Sequence, residues 1–414
     1  MSGPSYGVPD ALALPRGARD LLPAAARRRS RLSAALLATL DRWGYDPVVT
    51  PAIEYFEVFG RWLAERDRQR CVRFIEAGTG ELVTLRSDIT PQIARLSALR
   101  LGDRLAAGEA LRLSYCAEVV RLGEASSGQL EHSQVGAELL GDDSPDADAE
   151  LVLLCAESLR AAGLPRPQLE LADVSIARGV FERLPPGCDT DALHGLLARK
   201  DSDGVARFAA DLPLRPEARR ALALLCELFG GPDVLERVPA DIRAAFPWLD
   251  RALARLAAVI DRCRRDDPEL AASLIVDLGE VRGHDYYTGL RLRAWAHGSA
   301  TPLVCGGRYP GGAGFAVELE ALEAALEHAG APPEPRRGGT LIVAETEAQR
   351  DEASRRARAL RRSDRAWVQV GLGASAARAA AGEAGRLIHL EASGRVSTWL
   401  RGQADDWAAE ESET

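Results

Sequence analysis

The sequence predicts an α+β fold in which a mostly antiparallel sheet is flanked by helices. Short apolar or alternating runs, typical of strands, recur between helical patterns without a strict strand–helix alternation. Residues from about 187 to 267 are rich in Ala, Leu and Arg and have helical periodicity throughout, which predicts an all-helical insertion. The tail after residue 340 alternates strand and helix patterns, which predicts a small α/β domain.

The N-terminal half begins with a predicted helix over residues 23–45. Its apolar residues at 32, 36, 40 and 43 form one stripe, Pro23 suits the first turn, and Gly44 suits the end. Residues 45–59 contain two prolines and then an apolar segment, so an extended stretch leads into a helix or strand. Short helices are expected from Thr90 and over 148–162, and strands over 81–86, 110–121, 133–141 and 168–174.

The C-terminal half has strand patterns over 273–279, 289–295 and 301–305, followed by a helix over 320–330. Pro and Gly dominate residues 331–339, which predicts a linker between a 1–330 core and a small 340–414 domain. In that domain the expected order is strand 340–345, helix 348–361, strand 366–371, helix 374–384 and strand 386–391.

Composition limits the classes of function. The net charge of −9 disfavours non-specific binding to nucleic acid, and no run of eighteen uncharged apolar residues predicts a membrane helix. The N-terminus has no basic start followed by an apolar block, so no secretory signal is expected. Seven cysteines and six histidines are scattered along the chain. We therefore expect reduced thiols, a cytoplasmic protein, no metal site and no cofactor.

One set of residues suits the binding of a free amino acid. Such a ligand needs a carboxylate for its ammonium group, a positive group for its carboxylate, and aromatic side chains that define a shape. Candidates for these roles are Asp88, Gln134, Glu138, Arg282, Tyr287 and Tyr309.

Five ordered segments together resemble class II aminoacyl-tRNA synthetases, and among them histidyl-tRNA synthetase. They are "PRGARDLLP" (15–23), "YDPVVTPAIEYFEVF" (45–59), "LRSDITPQIARL" (85–96), "EVVRLGEASSGQLEHSQVGAELLG" (118–141), and the signatures "VRGHDYYTG" (281–289) and "CGGRYPG" (305–311). The resemblance covers roughly residues 10–186 and 270–330.

The resemblance implies a histidine site. It implies that Asp88 and Gln134 contact the amino end, that Glu138, Tyr287 and Tyr309 surround the imidazole, and that Arg282 lies near the carboxylate. The segment over 45–59 resembles motif 1, which implies a homodimer core.

Structural roles remain open for several of these residues. Asp88 could be only a helix cap. Tyr286 and Tyr287 are expected to alternate across a strand, so that one of them packs in the core. Gly306 and Gly307 could be turn residues.

The residues at the positions that bind ATP in this family depart from the family pattern. Arg121 occupies the position of the ATP-binding arginine of motif 2, but Glu318 replaces a glycine of motif 3 and Ala321 replaces its arginine. The segment between Tyr309 and Gly314 is also contracted. The carboxylate of Glu318 would repel a triphosphate, and the loss of the motif 3 arginine removes a bidentate hydrogen-bond donor to the phosphates. Arg121 is therefore expected to be the remnant of an ATP site, and no catalytic residues are expected in this chain. From residue 337 on, twelve arginines balance twelve acidic residues, which disfavours tRNA binding by the tail.

A retained histidine site beside a dismantled ATP site resembles the regulatory subunits of ATP phosphoribosyltransferase, a branch of the same family. That resemblance implies a non-catalytic chain that activates a short-form catalytic subunit and mediates feedback inhibition by L-histidine, in a hetero-oligomer. Two alternatives stay open: an active histidyl-tRNA synthetase, and a synthetase-like amino-acid-binding protein with another partner. The sequence leaves open which surface meets the catalytic subunit, and whether regulatory histidine binds in this pocket or at the interface.

Overall fold

The computed structural model describes residues 14–63, 65–123, 128–282, 286–331, 338–402 and 406–410. The chain divides into two compact units, Met1–Ala331 and Pro332–Thr414. Most of the predicted linker, residues 332–337, lies outside the described residues. Within the described ranges, no helix is long and apolar enough to cross a membrane.

The first unit is built on a nine-stranded sheet with the order β1-β5-β6-β12-β11-β10-β7-β9-β8. The pairs β1–β5 and β7–β9 are parallel, and the other pairs are antiparallel. Strands β2, β4 and β3 form a separate small antiparallel sheet. The bounds are β1 (Asp46–Pro47), β2 (Ile53–Tyr55), β3 (Arg73–Ile75), β4 (Leu82–Leu85), β5 (Leu111–Val120), β6 (Glu131–Leu140), β7 (Gln168–Asp173), β8 (Phe229–Gly230), β9 (Ile275–Asp277), β10 (Leu290–Trp295), β11 (Val304–Tyr309) and β12 (Gly312–Glu318).

Helices cover this sheet and form the insertion. They are α1 (Pro23–Arg42), α2 (Phe56–Trp62), α3 (Glu65–Arg68), α4 (Thr90–Leu96), α5 (Gly102–Ala106), α6 (Pro145–Ala161), α7 (Val174–Phe181), α8 (Thr190–Ala198), α9 (Ser202–Ala210), α10 (Pro216–Glu227), α11 (Ala240–Ala245), α12 (Trp248–Asp266), α13 (Pro268–Ser273) and α14 (Leu319–His328). A π-helical turn (Ser97–Leu101) and a 3-10 turn (Pro232–Leu235) complete the set. The predicted α+β fold is confirmed, and the insertion is helical apart from β8.

The main core lies between the sheet and helices α1, α6 and α12. The predicted stripe of α1 is buried through Leu32, Leu36 and Leu40. One buried carboxylate connects α6 with the sheet and with α12. Asp148 of α6 is 0% exposed and accepts hydrogen bonds from Nε of Arg308 in β11 (2.9 Å) and from Nε of Arg255 in α12 (2.6 Å).

Strand β12 joins β6 on one of its edges to β11 on the other. It pairs with β6 so that Gly314 lies opposite Glu138 and Glu318 lies opposite Gln134. A Cβ atom on residue 314 would lie 1.9 Å from Oε2 of Glu138, so only glycine fits there. The sequence did not reveal this strand, because its glycines mask the alternation of a strand.

The second unit is a small α/β domain, as predicted. Its five strands have the order β14-β13-β15-β16-β17, and the pairs β13–β14 and β13–β15 are parallel. Its bounds are β13 (Thr340–Ala344), α15 (Arg350–Leu360), β14 (Ala366–Val370), α16 (Ala374–Ala380), β15 (Arg386–Leu390), β16 (Val396–Arg401) and β17 (Trp407–Glu410), with a 3-10 turn at Glu347–Gln349. Both faces of β13 are buried, Ile342 on the side of α15 and Leu341 on the side of α16. The two antiparallel strands β16 and β17 were not predicted.

Candidate functional site

A cavity of about 290 Å³ opens on the central sheet of the first unit. Five of the six residues predicted to bind an amino acid line it, together with the predicted remnant of the ATP site: Asp88, Arg121, Gln134, Glu138, Tyr287 and Tyr309. The loop before α4, strand β6, the turn before β10 and the end of β11 supply these side chains. The structure therefore brings together groups that lie more than 200 positions apart in the sequence.

Glu138 is the most deeply buried acid of the cavity, at 1% exposure. Its Oε1 accepts a hydrogen bond from Oγ1 of Thr90 and its Oε2 accepts one from the Tyr309 hydroxyl, both at 2.7 Å. Burial raises the pKa of Glu138 to about 8; the two hydroxyl donors oppose this effect and the charge of Asp88 adds to it. At neutral pH this side chain therefore carries a proton in most molecules and can donate it to a ligand.

The N-cap of α4 is Ile89 rather than Asp88, and Asp88 both contacts the backbone at the start of this helix and lines the cavity. Its Oδ1 accepts the backbone N–H groups of Ile89 (2.7 Å) and Thr90 (3.3 Å), so it satisfies donors at the start of α4. It also forms part of the cavity wall. Burial raises the pKa of the Asp88 carboxyl, and the nearby Arg121 guanidinium opposes that rise.

Three tyrosines form an aromatic corner of the cavity. The Tyr286 ring lies 4.9 Å from Tyr287 in an edge contact and 5.8 Å from Tyr309 in a stacked one. The expectation that Tyr286 and Tyr287 alternate on a strand is wrong, because both precede β10 in a turn and both line the cavity. Sequence reasoning also missed Arg291, which is 8% exposed and stacks 4.3 Å from the centre of the Tyr287 ring.

Arg282 does not line this cavity, which corrects its predicted position. The side chain is half exposed, and its Nη2 donates to the backbone carbonyl of Ala198 at 2.7 Å. Its Nη1 lies 3.8 Å from the buried carboxylate of Glu280. These two acceptors direct the guanidinium toward the helical insertion. The "GHD" residues that follow it, 283–285, lie outside the described residues.

An internal ion pair lines the cavity at the position where the sequence predicts the remnant of an ATP site. Glu318 accepts hydrogen bonds through Oε1 from Nη1 of Arg121 (3.0 Å) and from Nε2 of Gln134 (2.8 Å). The Nε of Arg121 donates to the carbonyl of Ser87 at 2.8 Å. Ala321, at the position of the motif 3 arginine, packs against the main core. A phosphate at this position would have to displace a carboxylate from the arginine, which disfavours nucleotide binding.

Comparisons with known proteins agree with this geometry. The family model described as histidyl-tRNA synthetase matches residues 17–322. A relative from Anaeromyxobacter dehalogenans, named ATP phosphoribosyltransferase regulatory subunit, is 39% identical over 329 residues, which cover 76% of this chain and 92% of the relative. One with the same name from Moorella thermoacetica is 35% identical and covers 92% of this chain and 97% of its own length. A crystal structure from Bacillus halodurans, titled ATP phosphoribosyltransferase regulatory subunit/histidyl-tRNA synthetase, superposes with a TM-score of 0.78 at 26% identity, covering 94% of this chain and 99% of that one.

Proposed function

This chain belongs to the histidyl-tRNA synthetase-like family of ATP phosphoribosyltransferase regulatory subunits, and from that premise we propose that it activates a short-form catalytic subunit and mediates its feedback inhibition by histidine. The observation that carries the proposal is the division of the cavity into two parts. Amino-acid-binding groups line one part, whereas Glu318 neutralises Arg121 in the other. Such a cavity suits a sensor that binds an amino acid and does not adenylate it.

Histidine fits the chemistry of the first part. The carboxylate of Asp88 and the amide oxygen of Gln134 can accept hydrogen bonds from the ammonium group. Oε1 of Gln134 is buried and has no hydrogen-bond partner among the described residues, so a bound ammonium would satisfy it. Protonated Glu138 can donate its proton to an imidazole nitrogen, and the Tyr309 hydroxyl holds the carboxyl group in position. A site of this kind discriminates against ligands without a ring nitrogen that can accept this proton, because its own polar groups would remain unpaired.

Inhibition requires that histidine bind one state of the complex more tightly than another. In this proposal the differential contacts are those of the aromatic corner, because Tyr286 and Tyr287 line the cavity from the turn before β10. Which surface meets the catalytic subunit is not part of the proposal.

A homodimer core forms part of the same proposal. Several large apolar side chains near motif 1 are exposed in the single chain, among them Val49 (96%), Leu99 (69%), Tyr55 (52%) and Ile53 (48%). Tyr55 and Leu99 line one surface groove, and an exposed apolar groove in a folded chain supports a partner that covers it. A second copy of the chain is the partner that motif 1 implies.

Phosphoribosyl transfer by the short-form catalytic subunit of the same organism tests the proposal. The rate is measured with and without this chain and then titrated with histidine. We expect activity to require the chain and to fall as histidine is added. A catalytic subunit that is equally active alone would refute the activating role. Activation without any effect of histidine would refute the sensor role only.

The alternative is an active histidyl-tRNA synthetase, because the similar protein from Bacillus halodurans is named both as a regulatory subunit and as a histidyl-tRNA synthetase. Histidine-dependent exchange of pyrophosphate into ATP distinguishes the two functions, because it reports adenylate formation. We expect no exchange above the background without enzyme. Exchange that is lost in an Arg121→Ala variant would favour the synthetase instead. If neither activity is found, a binding protein with another partner is favoured.

A further inference from the structure

Beyond the histidine cavity, we infer that His132, Glu318 and Glu320 form a binding site for a divalent transition-metal ion such as Zn²⁺. A ring nitrogen of His132 and one carboxylate oxygen from each glutamate lie within 4.8 Å of one another. The three residues come from β6, the end of β12 and the first turn of α14. A site with one imidazole and two carboxylates is an established donor set for zinc.

Two ligand atoms at this position lack partners. Nε2 of His132 and Oε2 of Glu318 are both buried, and neither has a hydrogen-bond partner among the described residues. A buried polar atom without a hydrogen-bond partner is destabilising, so two such atoms side by side favour a bound cation that pairs with both. The other oxygen of Glu318 is occupied by Arg121 and Gln134, which fixes the carboxylate and leaves Oε2 for a metal.

The surrounding charges favour a cation. Glu320 is held by Nη1 of Arg29 at 2.7 Å and by the backbone N–H of Ser133 at 3.1 Å. Glu118 and Glu323 are further acids near Arg29. These two acids together with Glu318 and Glu320 make four carboxylates. The guanidiniums beside them number three: those of Arg29 and Arg121, and that of Arg19, which lies 3.4 Å from Glu320.

A second cluster in the same unit provides the contrast. Glu170, Asp277 and Glu280 also lie within 4.8 Å of one another. However, the guanidinium of Arg293 contacts Glu170 and Glu280, and the ammonium of Lys200 lies 2.5 Å from Asp277. Unlike the site at His132 and Glu318, this cluster has no buried side-chain oxygen without a hydrogen-bond partner among the described residues, so we do not expect it to bind a metal.

Coordination requires only a small movement. Zinc ligands lie about 2.0–2.2 Å from the ion, so two ligand atoms in a tetrahedral site are about 3.4 Å apart. The three ligand atoms lie within 4.8 Å of one another, so each pair must approach by at most about 1.4 Å. Three protein ligands leave one position for water or for a ligand that enters the cavity.

Cobalt(II) absorbance of the full-length chain, cleared of metal beforehand, tests the site. We expect one Co²⁺ per chain with tetrahedral d–d bands that are displaced by Zn²⁺, and an affinity at least about tenfold weaker in His132→Ala and Glu318→Gln. A His297→Ala variant, which alters an exposed histidine, is the matched control and should bind as the wild type does.

The seven cysteines are the competing ligands, and a thiolate-to-cobalt charge-transfer band would reveal them. Binding with that band, binding unchanged in both variants, or no binding by the wild type would each overturn the inference. Circular dichroism establishes that the variants are folded. If His132→Ala does not fold, the isosteric Glu318→Gln variant decides the result.

Discussion

Replacement of Glu138 by glutamine tests whether this side chain carries a proton in the native protein. Glu138 is 1% exposed, and burial raises its pKa from the ordinary value of 4.5 to about 8. Glutamine has the same shape and can still accept one of the hydroxyl hydrogen bonds from Thr90 and Tyr309, but it cannot ionise.

The sign follows from the number of bound protons. Between pH 4.5 and 8 the folded state keeps the proton of Glu138, whereas the unfolded chain has released it. The free energy of unfolding therefore decreases as the pH rises through this range, by up to about 1.4 kcal/mol per pH unit. From pH 6 to pH 8, the wild type should lose roughly 2 kcal/mol more than Glu138→Gln. The stabilisation that the raised pKa of Glu138 contributes to the folded state is fully present below pH 4.5 and is lost as the pH rises through 8.

Urea unfolding at pH 6 and pH 8, followed by tryptophan fluorescence, measures this difference. All other titrating groups are common to both proteins and cancel in the comparison. Glu57→Gln is the matched control, because the Glu57 side chain is 77% exposed and its loss should leave the wild-type pH dependence. If wild type and Glu138→Gln respond identically to pH, Glu138 is already ionised at pH 6 and its role as a proton donor to the ligand is wrong.

Three further predictions concern the same unit. Gly314→Ala would place a Cβ 1.9 Å from Glu138 and should destabilise the protein by about 1–3 kcal/mol and weaken histidine binding, measured by thermal unfolding and calorimetry; an unchanged melting temperature would contradict the packing. Asp148→Ala leaves two guanidiniums without their buried carboxylate and should cost about 3–5 kcal/mol in urea unfolding, so a loss below about 1 kcal/mol would exclude an important ion pair. Glu318→Gln releases Arg121 and should bind ATP more tightly than the wild type in calorimetry, whereas equal affinities would mean that the carboxylate does not block the nucleotide.

Periodicity in the sequence was sufficient to predict the helices and strands that have one buried face. Helix α1 was predicted from its stripe of leucines, and β5 and β6 from their apolar runs. Strand β12 was missed although it pairs on both sides, because Gly312, Ala313 and Gly314 give no alternating pattern. Strands β16 and β17 were missed because their side chains are half exposed or exposed, so neither strand has a buried face that would give an alternating pattern.

The position of a side chain in the cavity was predicted correctly where a motif fixes the backbone. The predicted position was wrong where a contact with a distant residue fixes the side chain. The position of Asp88 follows from the start of α4, and that of Glu138 from β6. Arg282 was misplaced because a carbonyl of the insertion, 84 positions earlier in the chain, accepts its hydrogen bond. The ion pair between Arg121 and Glu318 joins residues 197 positions apart, and no local pattern could reveal it.

The most direct test of the central claim is the histidine concentration that halves phosphoribosyl transfer by the complex of the short-form catalytic subunit with this chain. The measurement compares the wild type with Tyr309→Phe, which removes only the hydroxyl that Glu138 accepts at 2.7 Å. We predict that the variant complex needs about fivefold more histidine, because a hydrogen bond between neutral groups contributes about 1 kcal/mol. Equal concentrations for the two complexes would contradict the claim that histidine is sensed in this cavity.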